Sequence, residues 1–258
     1  MKYEDYKNIY SQLKKPSDID YLAQKLRVDR ELLLVMYTQR TVRDATRRFY
    51  IVKKDMKKIA REWHRGTSMA KIARMINFPP VLLGLMLASE IDLPRKQFWK
   101  YIREPECCHD KRLKKELMQI AEEDMIYSPR GAQVQSDRGV WGEKKLQDWL
   151  DKRELKYRTE VELRATHTKT PDCLLDKPIQ IDGMKIHWIE SKASFGDDIE
   201  LRKNVRRQLK PYIDMFGTGA VVYWFGLVEG IEPPEGVMLL PGTFFDDCKR
   251  DHVPRKHY

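Results

Sequence analysis

Residues 169–194 read KTPDCLLDKPIQIDGMKIHWIESKAS and set two acidic positions on either side of a predicted hairpin. Asp182-Gly183 is a two-residue turn signal between apolar runs at 178–181 and 184–189. A hairpin returns the chain beside itself, so Asp172 and Glu190 can meet although 18 positions apart. Strand side chains alternate faces, so Glu190 and Lys192 point one way and Ser191 the other. Two carboxylates and one ammonium then converge. Carboxylate pairs hold hard divalent cations such as Mg²⁺, which polarise phosphoryl oxygens and activate bound water. Lys192 could hold or help deprotonate that water, or steady charge on a pentacoordinate phosphorus. The competing reading is a surface hairpin with a cross-strand salt bridge of little worth. Against it, Ile186-His187-Trp188-Ile189 leads straight into Glu190, which argues for a buried strand, and a buried charge needs partners.

Pro171-Asp172, a hairpin, then Glu190-Ser191-Lys192 is similar to the PD-(D/E)xK nuclease motif. The longer wording, TPD at 170–172 followed by HWIESKASFGD at 187–197, resembles the TPD-motif family of PD-(D/E)xK nucleases, found in archaea and eukaryotes, and here an archaeal member. The resemblance is strongest over residues 139–226. It implies a restriction-endonuclease-like αβββαβ core and metal-dependent hydrolysis of phosphodiester bonds in DNA, with Mg²⁺ or Mn²⁺ as cofactor. It implies that Asp172 and Glu190 hold the metal, helped by the backbone carbonyl of Ser191, and that Lys192 positions the attacking water. In such folds the first core helix often supplies an acid to the metal, here Glu143. The helix after the strands often supplies a polar group, here Gln208. The plain alternatives are a Glu reaching solvent and an ordinary helix-surface Gln.

At 258 residues the chain has room for one large or two ordinary domains, and 41% hydrophobic residues exclude global disorder. No apolar run is long enough to span a membrane, and residues 1–10 lack the apolar segment of a signal peptide. An intracellular location is expected, cytoplasmic in a prokaryote and nuclear in a eukaryote. Four cysteines agree with a reducing compartment, and none has CxxC spacing. Cys248 and His252 could share a helical face, a pairing more often structural than functional. The net charge of +10 is uneven: 22 Lys/Arg stand against 11 Asp/Glu over residues 1–100, 6 against 7 over 101–135, and 21 against 21 over 136–258. The first third is the footprint for a polyanion. Nucleic acid is favoured over membrane because no polybasic block adjoins an apolar anchor.

Within that third, residues 17–36 (SDIDYLAQKLRVDRELLLVM) and 67–86 (TSMAKIARMINFPPVLLGLM) resemble each other at an offset of 50 positions. Each has an N-cap type residue, a helical apolar pattern, a short break and a second apolar helix, the grammar of a helix-turn-helix. Ordinary helical hairpins share that grammar. Residues 41–65 predict one amphipathic helix, or two in line, with Val42, Ala45, Phe49, Val52, Met56, Ile59 and Trp63 on the apolar side. The other faces carry Arg43, Arg47, Arg48, Lys53, Lys54, Lys57, Lys58 and Arg61, a candidate phosphate-tracking surface. Residues 111–123 read as a helix, 128–132 as a linker, 139–150 as a helix with Val140, Glu143, Leu146 and Leu150 on one face, and 157–163 as a strand. Residues 199–216 read as a helix interrupted near Pro211, 219–227 as a buried central strand, and 237–240 as a further one.

The expected architecture is α/β (mixed). A basic all-helical domain with two helix-turn-helix-like units spans 1–130, and a restriction-endonuclease-like domain spans 131–258. DNA is the expected nucleic acid, a homodimer is compatible with such folds, and no protein partner is legible. The rival reading is a non-catalytic DNA-binding adaptor or helix-turn-helix regulator with a nuclease-like docking domain.

Overall fold

In the computed structural model, which describes residues 1–246, Asp182 and Gly183 take φ of 44° and 83°. This left-handed pair is what a tight two-residue hairpin needs. It joins β2 (Cys173–Ile181) to antiparallel β3 (Met184–Lys192). Both strands outrun the predicted 178–181 and 184–189: β2 starts directly after Asp172, and β3 runs through Glu190 to Lys192. Pro178 sits where the register shifts between Leu174 and Ile179, a place where a missing N–H is tolerated.

The five-stranded sheet has the order β1-β2-β3-β4-β5. β1 (Tyr157–Thr159) is antiparallel to β2, while β4 (Gly219–Tyr223) and β5 (Val237–Pro241) continue parallel to β3. Every residue of β4 is buried, as its β-branched and aromatic run requires. The strand expected over 157–163 stops at Thr159. There Thr159 and Glu162 form a capping box that starts α10 (Glu160–Leu163). The Thr-x-x-Glu spacing was available in the sequence and outweighed the alternation.

Helix α9 (Pro129–Asp151) covers one face, clustering Leu146, Trp149 and Leu150 with Ile189 and Val222. The other face holds α11 (Asp198–Asn204) and α12 (Lys210–Phe216), whose Leu201 and Tyr212 pack with Trp188, Val221 and Tyr223. Between α11 and α12 lies a π-helical turn, Val205–Leu209, in which the Lys210 N–H reaches back to the Val205 carbonyl. Pro211 follows directly. Proline has no N–H and clashes with the carbonyl four residues back, so the widened turn absorbs the interruption.

The offset-50 resemblance is carried into the backbone. α2 (Ser17–Leu26) is followed by left-handed Arg27 (φ 54°) and then α3 (Arg30–Lys54). α5 (Met69–Met75) is followed, 50 positions on, by left-handed Asn77 (φ 46°) and α6 (Pro80–Ala88). The second pair bends by 117°, within the helix-turn-helix range. Its helix starts are capped from α8 (Lys111–Glu123) and the residue after it. Buried Glu116 accepts the Met69 N–H at 2.8 Å, and Asp124 accepts the Val81 N–H at 2.9 Å. The predicted helix over 41–65 is two in line, because α3 runs on to Lys54 and α4 (Met56–His64) follows Asp55. Ala45, Val52, Met56 and Ile59 are buried as the stripe predicts.

The chain divides into two compact units, Thr38–Asp137 and a second made of Met1–Tyr37 with the described residues from Arg138 on. This division differs from the expected cut near 130 at both ends. Residues 1–37 join the sheet: Tyr6 stacks on Phe195 at 5.7 Å and donates its hydroxyl to Asp197 at 2.7 Å. Leu13, Leu22 and Leu33 cluster with Phe195 and Val228. The expected linker at 128–132 is a capped helix start, with Pro129 opening α9 and the Ser128 hydroxyl accepting the Gly131 N–H. The helical unit holds 21 Lys/Arg against 13 Asp/Glu. Among the described residues, no single helix is long and apolar enough to cross a membrane, and Cys107, Cys108 and Cys173 are free thiols. Cys248 and His252 lie outside the described residues.

Candidate active site

β3 ends in the three groups the sequence singled out. Glu190 is only 1% exposed, so its charge must be met locally. Lys192 Nζ lies 2.5 Å from Glu190 Oε1, on the same side of the strand. Asp172, half-buried at the mouth of β2, is tied to the same strand twice. Its Oδ2 accepts the Ser191 N–H at 2.7 Å, and its own N–H donates to Glu190 Oε2 at 3.3 Å. The Lys192 carbonyl accepts the Trp224 N–H on the β4 side, so the Ser191 N–H and carbonyl face the opposite edge, toward Asp172. The Ser191 hydroxyl points away from Glu190 and accepts from Trp224 Nε1 at 2.8 Å.

The electrostatics follow from this crowding. Burial first, and the Glu190 carboxylate second, push Asp172 well above the usual carboxylate range against the pull of Lys192 and the Ser191 N–H. For Lys192, burial draws the ammonium down, but Glu190 and then Asp172 outweigh it, and the group sits above the ordinary lysine value. Lys192 Nζ faces two acceptors, Glu190 Oε1 and Gln208 Oε1, and so is placed as a hydrogen-bond donor.

Gln208 reaches the site through the π-helical turn, its Oε1 accepting from Lys192 Nζ at 2.8 Å. Glu143 is placed differently from its prediction. It is exposed, as is its supposed apolar neighbour Val140, and the buried face of α9 runs instead through Gly142, Leu146, Trp149 and Leu150. Glu143 is nonetheless within electrostatic reach. Desolvation first, then the carboxylates of Glu160 and Glu190, raise its carboxyl, while Lys192 lowers it. The close approach depends on Gly142: a Cβ there would stand 2.6 Å from Trp224 Nε1 and 3.1 Å from Ser191 Oγ. A side chain at 142 would push α9, and Glu143 with it, off the end of β3.

Of the basic positions, Arg47, Lys53, Lys54, Lys57, Lys58 and Arg61 are exposed, while Arg43 and Arg48 are half-buried. Arg48 donates to the carbonyl of left-handed Asn77 at 2.6 Å, a staple across the helix break. All eight belong to the helical unit rather than to the unit with the carboxylates.

Two positioning residues escaped the sequence reading. Trp224 anchors Ser191, as above. Tyr212 is fully buried, with its hydroxyl donating to the Thr170 carbonyl at 2.7 Å, which pins the segment leading into Asp172. Its spacing of four from Gln208 on one helix was the available signal. Tyr212→Phe leaves that buried carbonyl unpaired and is expected to cost about 1–3 kcal/mol. In thermal denaturation this should lower the midpoint by roughly 2–4 °C for each kcal/mol.

Residues 109–242, more than half of the chain, match the family described as "Protein of unknown function TPD sequence-motif". The chain is similar to the CDAN1-interacting nuclease 1 of Danio rerio, 34% identical over 184 residues that cover 67% of this chain and 61% of that protein. The Mus musculus protein of that name is 36% identical over 57% of this chain and 53% of its own length, and the Homo sapiens one 35% over 51% and 47%. The chain thus covers less than two thirds of the length of these relatives, whose name makes them nucleases with CDAN1 as a protein partner. No solved structure matches. With a TPD at 170–172 built into the carboxylate site and the family match running across it, the chain belongs to the TPD sequence-motif family.

Proposed function

We propose that this protein is a metal-dependent nuclease that hydrolyses phosphodiester bonds in DNA. The observation that carries the reading is the convergence of Asp172, Glu190 and Lys192 at the buried end of β3, where Glu190 accepts from the Asp172 N–H and from Lys192 while the Ser191 N–H holds the Asp172 carboxylate. The succession α9-β1-β2-β3-α11/α12-β4, interrupted only by the one-turn α10 between β1 and β2, supports reading the sheet unit as a restriction-endonuclease-like αβββαβ core. The nuclease names of the relatives support the reaction class.

The donor set fits a hard divalent cation. Two carboxyl groups lie at the end of β3, Glu190 paired with Lys192 and Asp172 held by the Ser191 N–H, with the Ser191 carbonyl on the edge facing Asp172; these are oxygen donors of the kind Mg²⁺ and Mn²⁺ take while keeping several waters. Asp172 and Glu190 would hold the ion with that carbonyl, and Glu143 at the rim would complete the shell through water. Bound there, the ion supplies Lewis-acid polarisation of a phosphoryl oxygen and a more acidic water. Lys192, held as an ammonium by Glu190 and Gln208, donates to the attacking water or to a non-bridging phosphoryl oxygen. The Ser191 N–H fixes the Asp172 carboxylate, and Tyr212 fixes the chain leading to it. In the helical unit, the exposed cations from Arg47 to Arg61 supply sequence-independent attraction to phosphates. The 117° bend between α5 and α6 supports a helix-turn-helix reading, and with it duplex DNA over RNA.

The experiment is cleavage of labelled single-stranded, duplex and branched DNA with Mg²⁺, Mn²⁺ or EDTA. Cutting with either ion and none in EDTA is expected. One observation favours a second reading, a non-catalytic adaptor: Lys192 occupies a Glu190 oxygen, and among the described residues no three His, Cys, Asp or Glu side chains stand together as a metal cage. In that reading the pair is a buried structural ion pair, and the protein binds DNA but leaves every substrate intact with both ions present.

A further inference from the structure

The lysine of the site does not face a closed wall. Lys192 and Gln208 line one end of a cleft of about 720 Å³ whose other walls are Lys169, Lys203, Arg206 and Arg207, with Asn204 and Glu200 at its floor. Five cations and one carboxylate share this surface, and the carboxylate is already paired, Glu200 Oε1 lying 2.8 Å from Lys203 Nζ. Lys169, Arg206 and Arg207 are exposed, and among the described residues none has a carboxylate within ion-pair distance. Lys169 comes from the loop that enters Thr170-Pro171-Asp172, and the others from α11 and the π-helical turn, so the walls are built from the segments that precede and follow the carboxylate pair in the chain. Spacings of three and four bring Lys203, Arg206 and Arg207 to one side of the helix, and the π turn carries Gln208 inward to Lys192.

This arrangement answers a problem the site creates. Two carboxylates repel the backbone of the polyanion they are meant to cut, so the phosphates flanking the scissile one need positive seats. We propose that Lys169, Lys203, Arg206 and Arg207 form a phosphate seat for the strand being cut, binding backbone phosphates next to the scissile bond without reading bases. The seat rests on the nuclease reading and extends it: the chemical class it takes is a run of phosphodiesters on one strand. It is separate from the basic face of the helical unit.

The test uses the full chain and two double variants, Arg206→Ala/Arg207→Ala and Arg206→Lys/Arg207→Lys, with thermal melts to check folding. The probe is a labelled single-stranded oligonucleotide bound in EDTA, over a series of salt concentrations. Losing two phosphate contacts should weaken binding by about 10-fold or more and flatten the log Kd against log salt slope by roughly 1.4, at ~0.7 per phosphate on a single strand. The Lys pair should retain most of both, because a phosphate seat needs charge rather than a planar fork. In cleavage, KM should rise while kcat stays within about 2-fold. Unchanged affinity and slope in the Ala pair overturn the seat, as does a wild-type protein that binds no strand at all. If the wild type binds but never cuts, and the Ala pair loses affinity, the seat stands and the nuclease reading falls. If the wild type cuts and the Ala pair keeps its KM, the nuclease reading stands and the seat falls.

Discussion

Asp172→Asn is expected to abolish cleavage and at the same time to raise the thermal midpoint of the metal-free protein. The loss of activity follows from removing half of the carboxylate pair, and a fall of about 10³-fold or more in rate is the size expected for a group that acts at the reacting centre. The gain in stability follows from the same geometry. Asp172 and Glu190 bring two carboxyl groups together in a partly desolvated pocket whose single lysine, Lys192, is paired with Glu190. Asn keeps an oxygen for the Ser191 N–H and carries no charge to repel Glu190. Relief of roughly 1–3 kcal/mol is expected, since unpaired or like-charged groups are costly away from water. Melts without metal and cleavage assays with Mg²⁺ check both halves. Full cleavage by Asp172→Asn would remove Asp172 from the chemistry, and a lowered midpoint would make it a structural residue.

The second large effect has the opposite sign on stability. Lys192→Met leaves Glu190, 1% exposed, without its cation, and breaking a buried pair from one side costs about 3–5 kcal/mol. Cleavage should fall by about 10²–10³-fold even where the variant is folded. Adding Mg²⁺ or Mn²⁺ should recover part of the lost stability, because the carboxylates then have another cation to face. The double variant Glu190→Gln/Lys192→Met should be more stable than Lys192→Met alone while remaining inactive, a non-additivity expected of groups that share one contact. If Lys192→Met cuts at the wild-type rate, the proposed role of the ammonium is lost. If metal leaves its stability unchanged, the carboxylates are not a cation site.

The hairpin at Asp182-Gly183, the buried strand running into Glu190 and the shared side of Glu190 and Lys192 were legible because each is a local rule. A turn needs particular φ values, and a strand alternates with period two. The offset-50 resemblance was legible for the same reason, and it returns as two left-handed residues at Arg27 and Asn77. The helical stripe from Ala45 to Ile59 obeys the 3.6-residue period and is buried accordingly. Where two local rules competed the stronger prevailed, as at Thr159, where a capping box ended a strand that alternation would have continued.

What local rules do not encode is which distant segments share a face. Tyr6 meets Asp197 across 191 positions, and contacts of that kind, rather than the linker-like residues at 128–132, assign residues 1–37 to the sheet unit. Glu143 reads as an acid on an apolar stripe but is exposed, because Gly142 rather than Val140 meets the sheet and turns the helix by that much. Gln208 and the cleft beside it depend on the π-helical turn before Pro211, since one extra residue in a turn rotates every side chain after it. Residue order thus determined the hairpin, the acidic pair and the lysine, because one tight turn and the two-residue period of the strands it joins are enough to bring them together. Tertiary packing decided the partners, the rim and the basic cleft, because those depend on which apolar faces exclude water together.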